Sequence, residues 1–175
     1  MNEPPTRILV VGSSGAGKST FARALGRVSG LPVVHLDTVY WRPGWVEPTP
    51  EEWSRQLEPI LAEPRWILDG NYGGTMKQRA RVADVAIFVS RGRGLCVVRV
   101  VWRWLRHRRR PRDDRADGCD EQIDWPFIVY TWRYPRVSGP KARRRLAEAG
   151  VRVIELRGRT APGRFLDDWP ASAMP

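Results

Sequence analysis

Short apolar runs alternate along the chain with amphipathic stretches. Thr6-Arg-Ile-Leu-Val-Val11 is bounded by a glycine-rich turn and predicts a buried strand, and Ser19 to Val28 has helical periodicity. Leu31-Pro-Val-Val-His-Leu36 predicts a second strand with Asp37 at its carboxyl end and a turn-rich segment after it. Thr49 is placed to cap a helix that has Pro50 at its first position, Glu52 to close a capping box, and an end near Ala62. Arg65 to Asp69 and Ala83 to Val89 predict two more strands around a short helix, Thr75 to Val82. From Gly94 to His107 the period is helical. Leu95, Val98, Trp102 and Leu105 share one side; Arg99, Arg103, Arg106 and Arg110 share the other. Helices over Glu121–Tyr134 and Gly139–Ala149 follow, Gly150 caps the second, Val151 to Leu156 supplies a fifth strand, and a short helix over Ala161–Trp169 precedes a tail at 170–175 expected to fray.

Strand, helix, strand repeated in this way predicts a parallel sheet with helices on both faces, reached by right-handed crossovers, and a ligand crevice at the carboxyl ends of the strands. Gly12, Asp37, Asp69 and Arg91 all fall at such ends. A length of 175 residues suits one α/β domain, 1–175.

The turn after the first strand carries specific chemistry. Gly12-Ser13-Ser14-Gly15-Ala16-Gly17-Lys18-Ser19-Thr20 is a complete G-x-x-x-x-G-K-S phosphate loop. Its glycines let successive amides point at phosphate oxygens, the next helix adds its positive end, Lys18 would reach the β and γ phosphates, and Ser19 would hold Mg²⁺. ATP with Mg²⁺ is the expected ligand. Phosphoryl transfer then needs an acceptor side. Asp37 is the candidate to orient an acceptor hydroxyl and take its proton, against a capping role; Asp69 would hold Mg²⁺ through water or share acceptor binding, against a structural Asp-Gly turn. Arg79, Arg91, Arg99, Arg103 and Arg112 are the candidate phosphate clamps, since a guanidinium binds phosphate oxygens in pairs. Trp45 and Tyr72 are candidate walls of an acceptor pocket, whereas Trp41, Trp53 and His35 read as packing residues, as do most of the nine tryptophans.

Composition narrows the classes. There are 30 Lys+Arg against 19 Asp+Glu, for a net charge of +11, and with Lys18, Lys77 and Lys141 the only lysines, 30 − 3 leaves 27 arginines. Anionic partners fit, either phosphorylated small molecules or nucleic acid, although arginine-rich coding would raise the count by itself. A basic nucleic-acid-binding regulator is therefore the alternative to an enzyme. No nucleic-acid-reading motif and no Asn-Lys-x-Asp guanine motif is present. Cys96 and Cys119 are isolated, which excludes a zinc ribbon or a disulfide framework and fits a cytoplasmic location. Leu95 to Leu105 is broken by Arg99 and Arg103, so no membrane span and no membrane partner is expected.

One resemblance covers nearly the whole chain. His35-Leu-Asp37 with Tyr40-Trp-Arg-Pro-Gly-Trp45, Trp66-Ile-Leu-Asp-Gly-Asn-Tyr72 with Thr75 and Arg79, Ala83-Asp84, Leu95-Cys-Val-Val-Arg99, Arg112, Asp114, Gly118-Cys119, Asp124 and Phe127 resemble the DNA topology modulation protein (FlaR-like) family of adenylate and shikimate kinase-like P-loop kinases. The resemblance implies a five-stranded parallel sheet in the order 2-3-1-4-5, a substrate-binding arm at about 38–64, and a helical lid at about 106–120 carrying arginines, Arg112 among them. It implies an ATP-dependent phosphotransferase acting on an unidentified small-molecule acceptor, a hydroxyl compound or a nucleoside monophosphate, with Arg157 beside the adenine. Adenylate kinases carry Asp-Gly-Phe-Pro-Arg where this chain has Asp69-Gly-Asn-Tyr72, and shikimate kinases carry Asp-x-Asp where it has Asp37 alone; both differences point away from those two acceptors.

Overall fold

Strand β1 (Arg7–Gly12) is buried on both faces because Ile8 and Val10 point one way and Leu9 and Val11 the other. A computed structural model of the protein describes residues 4–107, 118–119 and 124–169. Around β1 lie β2 (Val33–His35), β3 (Trp66–Asp69), β4 (Val85–Ser90) and β5 (Arg152–Arg157), all parallel, in the order β2-β3-β1-β4-β5. The expected sheet is the observed one.

Helices cover both faces. One core layer joins Leu9, Val11, Leu68 and Phe88 to α3 (Pro50–Ala62), α4 (Met76–Val82) and α7 (Ser138–Glu148) through Leu57, Met76 and Leu146. The other joins Ile8, Val10, Ile67 and Ile87 to α1 (Lys18–Ser29), α5 (Arg93–His107) and α8 (Ala161–Asp167) through Leu25, Cys96 and Phe165. The expected capping box is present: Glu52 N donates to Thr49 Oγ1 at 3.2 Å and Thr49 N to Glu52 Oε2 at 2.9 Å. Helix α6 (Trp125–Arg133) starts four residues later than expected, where Asp124 accepts from Phe127 N at 2.8 Å.

Two expectations are corrected, those for β2 and for the tryptophans, and α5 takes a direction that the sequence left open. Strand β2 is only three residues long. Leu36–Tyr40 winds into a short helix, α2, with Thr38 Oγ1 bonded to His35 O at 2.8 Å, so Asp37 sits in a first helical turn rather than at the strand end. In α5 the apolar side faces away from the sheet: Cys96 and Val100 are buried, while Leu95, Val98, Trp102 and Leu105 are exposed. The tryptophans are mostly not core, since Trp53 and Trp66 alone among them are buried and Trp102, Trp125 and Trp132 are exposed. The expected frayed tail, and the lid apart from 106–107 and 118–119, lie outside the described residues.

Candidate functional site

The phosphate loop folds as its glycines allow. Gly12, Gly15 and Gly17 have φ of 140°, 74° and 94°, and a side chain on Gly15 would strike the Cys96 carbonyl, so the loop is pressed against the first turns of α5. Helix α1 has no side-chain cap at Gly17 and no acid in its first turn, which leaves its first amides available to an anion. Ala16 N bonds to Ser13 O at 3.2 Å, closing the turn that Ser14 and Gly15 span, and Lys18 Nζ donates to the same Ser13 carbonyl at 3.1 Å. Ser19 is half-buried and Thr20 exposed, directly after the lysine in α1. Arg99 reaches this loop: its Nη1 stands 3.8 Å from the position that a Cβ on Gly17 would take. Arg103, one helical turn further, is half-buried.

Opposite the loop, segment 69–72 closes β3. Asp69 is buried, pairs through Oδ2 with His35 Nδ1 at 2.8 Å, and has no hydrogen-bond partner for its buried Oδ1. The two residues lie in register on neighbouring strands, β2 and β3. Asn71 then does what its sequence neighbours did not announce. Its Oδ1 accepts from Gly12 N at 3.0 Å and from Tyr134 Oη at 3.2 Å, while its Nδ2 donates to Gly12 O at 2.8 Å. Both polar groups of the first loop residue are thereby bound by one side chain. Burial raises the Tyr134 pKa, so its hydroxyl stays a donor to Asn71.

Tyr72 takes φ of 32° and donates its hydroxyl to Asp37 Oδ1 at 2.5 Å. Burial and then the Asp37 charge push the Tyr72 pKa up, which keeps the proton on the phenol. Its ring packs against Tyr40 at 4.4 Å and Trp53 at 5.2 Å between centroids. Trp41 meets Trp45 at 5.1 Å, and Trp45, at φ 63°, turns the hairpin that an antiparallel bridge between Arg42 and Val46 closes. Two non-glycine residues held at positive φ in one wall mark a locally strained region. Gly118 and Cys119 dock on the same hairpin, through Gly44 N to Gly118 O at 3.0 Å and Cys119 Sγ to Arg42 O at 3.2 Å.

Arg79 and Arg91, expected as phosphate clamps, are instead bonded to main-chain carbonyls, and Arg157 keeps only its main chain for the expected contact to a base. Arg79 does not point at an acceptor. It is fully buried, and its guanidinium donates to Gly70 O at 3.1 Å, Asn71 O at 2.5 Å and Tyr72 O at 2.9 Å; burial pulls its pKa down to about 10. It shapes the 70–72 turn from behind. The Arg157 side chain is held by Glu155, Nε to Oε2 at 2.6 Å, with Arg143 Nε on the other oxygen at 2.5 Å, so a contact to a nucleotide base from this residue would have to come from its main chain. Arg91 also serves the scaffold, donating from Nε to Ala16 O at 2.9 Å under the phosphate loop. Arg112 lies outside the described residues.

The polar groups just named, with the loop, occupy the carboxyl end of the sheet. A cleft of about 690 Å³ lined by Thr6, Asp84, Arg152, Phe165 and Trp169 opens at the amino-terminal end and contains none of them. Among the described residues no group of three His, Cys, Asp or Glu is gathered that could hold a metal ion by itself. A cation here would take Ser19 and Asp69 with the remaining ligands from phosphate and water, as Mg²⁺ does.

No family model matches the chain, and no curated protein matches it. Solved structures do. Shikimate kinase from Bacteroides thetaiotaomicron has a TM-score of 0.57 at 15% identity, covering 94% of this chain and 95% of that one. A sugar kinase from Janibacter sp. HTCC2649 has 0.55 at 15%, covering 98% and 99%, and a gluconokinase from Sinorhizobium meliloti 1021 has 0.53 at 17%, covering 98% and 93%. Identities this low speak for the backbone alone: the chain has the α/β fold of small-molecule P-loop kinases, five parallel strands in the order 2-3-1-4-5.

Proposed function

We propose that the protein is an ATP-dependent small-molecule kinase that transfers the γ-phosphate to a hydroxyl or to a nucleoside monophosphate, as a member of the DNA topology modulation (FlaR-like) group that its motifs resemble. The observation that carries this reading is the hydrogen-bonded path from Gly12 through Asn71 and Tyr72 to Asp37, which joins a phosphate loop to a carboxylate beside an aromatic wall. Kinases among the structural neighbours support it.

In this reading the amides of 12–18 bind the phosphate chain, Lys18 leaves the Ser13 carbonyl for the β and γ oxygens, and Arg99, already over Gly17, adds a second cation. Arg103 and Arg112 are the other candidate clamps. Ser19 and Asp69, whose Oδ1 is buried without a partner, would hold Mg²⁺, which neutralises charge that spreads over the transferring group. Asp37 accepts the proton of the acceptor hydroxyl as its oxygen bonds to phosphorus and ADP leaves. Tyr72 holds Asp37 through one carboxylate oxygen and so orients the group, and Trp45 and Tyr72 wall the acceptor.

The test is ADP release with ATP and Mg²⁺ over a panel of nucleosides, nucleoside monophosphates, sugars and other hydroxyl compounds. At least one acceptor should raise turnover well above background, and Lys18→Met should abolish it while the protein stays folded. Asp37→Asn should reduce transfer at least about a hundredfold with ATP affinity within twofold of wild type. Unchanged turnover in Lys18→Met refutes the assignment, and equal loss of ATP affinity in Asp37→Asn moves that residue to the metal.

A further inference from the structure

We propose that His35 is a positioning residue for the metal: its Nδ1–H fixes one oxygen of Asp69 and so presents the other, Oδ1, to the Mg²⁺ carried with the triphosphate. The inference rests on the kinase reading above, which gives Asp69 to the cation and His35 no part. Burial defines the pair. The His35 side chain is 11% exposed and that of Asp69 5%, and 2.8 Å separates Nδ1 from Oδ2. A carboxylate that ligates a cation only accepts hydrogen bonds, so Nδ1 carries the hydrogen. The packing role expected of His35 leaves this bond unexplained. Oδ1, on the same carboxylate, is buried with no hydrogen-bond partner among the described residues. An oxygen of this kind, taken out of water, costs free energy until a donor or a cation meets it, and His35 serves the other one.

Strand alternation places the pair on the metal's side of the sheet. Val33 and Ile67 pack in the core layer that holds α1, and His35 and Asp69, each two residues further along the same strand, lie on that face. The first turn of α1 carries Lys18 and Ser19. Tyr72, which holds Asp37, packs instead in the opposite layer with Tyr40. Asp69 thus stands with the phosphate loop and Asp37 with the aromatic wall. His35 is itself firmly held. It closes β2 in register with Asp69 on β3, and its carbonyl accepts from Thr38 Oγ1 at 2.8 Å where α2 begins. A ligand oriented by a hydrogen bond from so rigid a neighbour keeps its direction before the ion arrives, and loss of such a partner weakens metal binding by about 10–100-fold. Two substitutions separate the donor from the bulk. Asparagine at 35 would set its Nδ2 where the imidazole places Nδ1, whereas leucine fills a similar volume and donates nothing.

The experiment is calorimetric titration of the full chain with the β,γ-imido analogue of ATP, once with Mg²⁺ and once with EDTA, so that the ratio of the two affinities measures the metal's contribution. Wild type should bind more tightly with Mg²⁺. His35→Leu should remove most of that gain, lowering the affinity with Mg²⁺ by about tenfold while the affinity in EDTA stays within about twofold of wild type. His35→Ala should do the same, and His35→Asn should restore the gain to within about threefold. Asp69→Asn should lose the gain as well, and His35→Leu added to it should cost nothing further, since the histidine acts only through Asp69. A purely structural His35 would lower both affinities together or neither, and either result overturns the proposal. So does an asparagine variant as weak as the leucine one, or losses that add in the double variant. A wild type that gains nothing from Mg²⁺ overturns the proposal and the metal assignment together and leaves nucleotide binding standing; a wild type that binds no nucleotide overturns the kinase reading with them.

Discussion

Replacing Asn71 by alanine removes three hydrogen bonds at once and leaves their partners stranded. Gly12 N–H, Gly12 C=O and the Tyr134 hydroxyl all end on the Asn71 amide, at 3.0, 2.8 and 3.2 Å, and both partner residues are buried. At about 1 kcal/mol for each net hydrogen bond, Asn71→Ala should lower the unfolding free energy by about 3 kcal/mol. Asn71→Asp is the sharper variant. It is nearly isosteric and still accepts from Gly12 N and Tyr134 Oη, but it sets a carboxylate oxygen against the Gly12 carbonyl oxygen, where an amide now donates. Two acceptors cannot share that contact, and the added charge opposes a triphosphate, so its effect on ATP affinity should exceed that of the alanine change, by about tenfold. Urea unfolding monitored by circular dichroism gives the stability, with an unchanged m-value as the check that unfolding remains two-state. A nucleotide titration gives the affinity. Tyr134→Phe should cost about 1 kcal/mol alone and almost nothing in the Asn71→Ala background, since the bond is already gone. Both Asn71 variants lying within about 0.5 kcal/mol of wild type would refute the assigned contacts.

Two further perturbations test other parts of the same network. Arg79→Met should destabilise the protein by about 2–4 kcal/mol in urea unfolding because the carbonyls of 70–72 lose a shared donor, and Arg79→Lys should rescue little, since one ammonium cannot span three carbonyls as a guanidinium does. The Glu155 pKa is held below its ordinary value of 4.5 mainly by its hydrogen bond to Arg143. The unfolded chain therefore takes up this proton first, so the stabilisation is complete above about pH 4.5 and is lost as pH falls through the lower folded pKa. Glu155→Gln should flatten that limb of a stability-against-pH curve and remove about 1 kcal/mol near neutrality.

What the sequence carried was local. A glycine-rich turn between a strand and a helix, or Thr49 three residues before Glu52, announces its structure because the partners are neighbours in the chain. Direction was not local. The 3.6-residue period found the α5 stripe, but nothing in 93–107 says which side meets the sheet; the helix sits on the phosphate loop where Gly15, lacking a side chain, lets the Cys96 backbone approach, and Cys96 joins the core beneath. Arg79 misled for a related reason. An arginine one turn into a helix beside a presumed active site suggests a phosphate clamp, yet the turn made by Gly70, at φ 151°, and Tyr72, at φ 32°, leaves three carbonyls needing a donor, and Arg79 is the donor that reaches them. His35 and Asp69 are 34 residues apart, and only the parallel register of β2 and β3 joins them. A polar residue closing each of two adjacent strands was the available signal. Asn71 gave none, because a turn asparagine is ordinarily its own backbone's partner.

These contacts make 69–72 a single mechanical part with two working ends. Asn71 fixes its position against the phosphate loop, Tyr72 fixes Asp37, and Arg79 binds the intervening carbonyls so that neither end shifts alone. If the segment moves as a unit, a fault at Arg79 must be felt on both sides: Arg79→Met should weaken ATP binding and acceptor use together, although the residue touches neither. Asp37→Asn, at one end, should separate them. Loss of acceptor use with ATP affinity intact in Arg79→Met would mean that Gly12 keeps its place without the support behind Asn71, and that loop and acceptor wall are positioned independently.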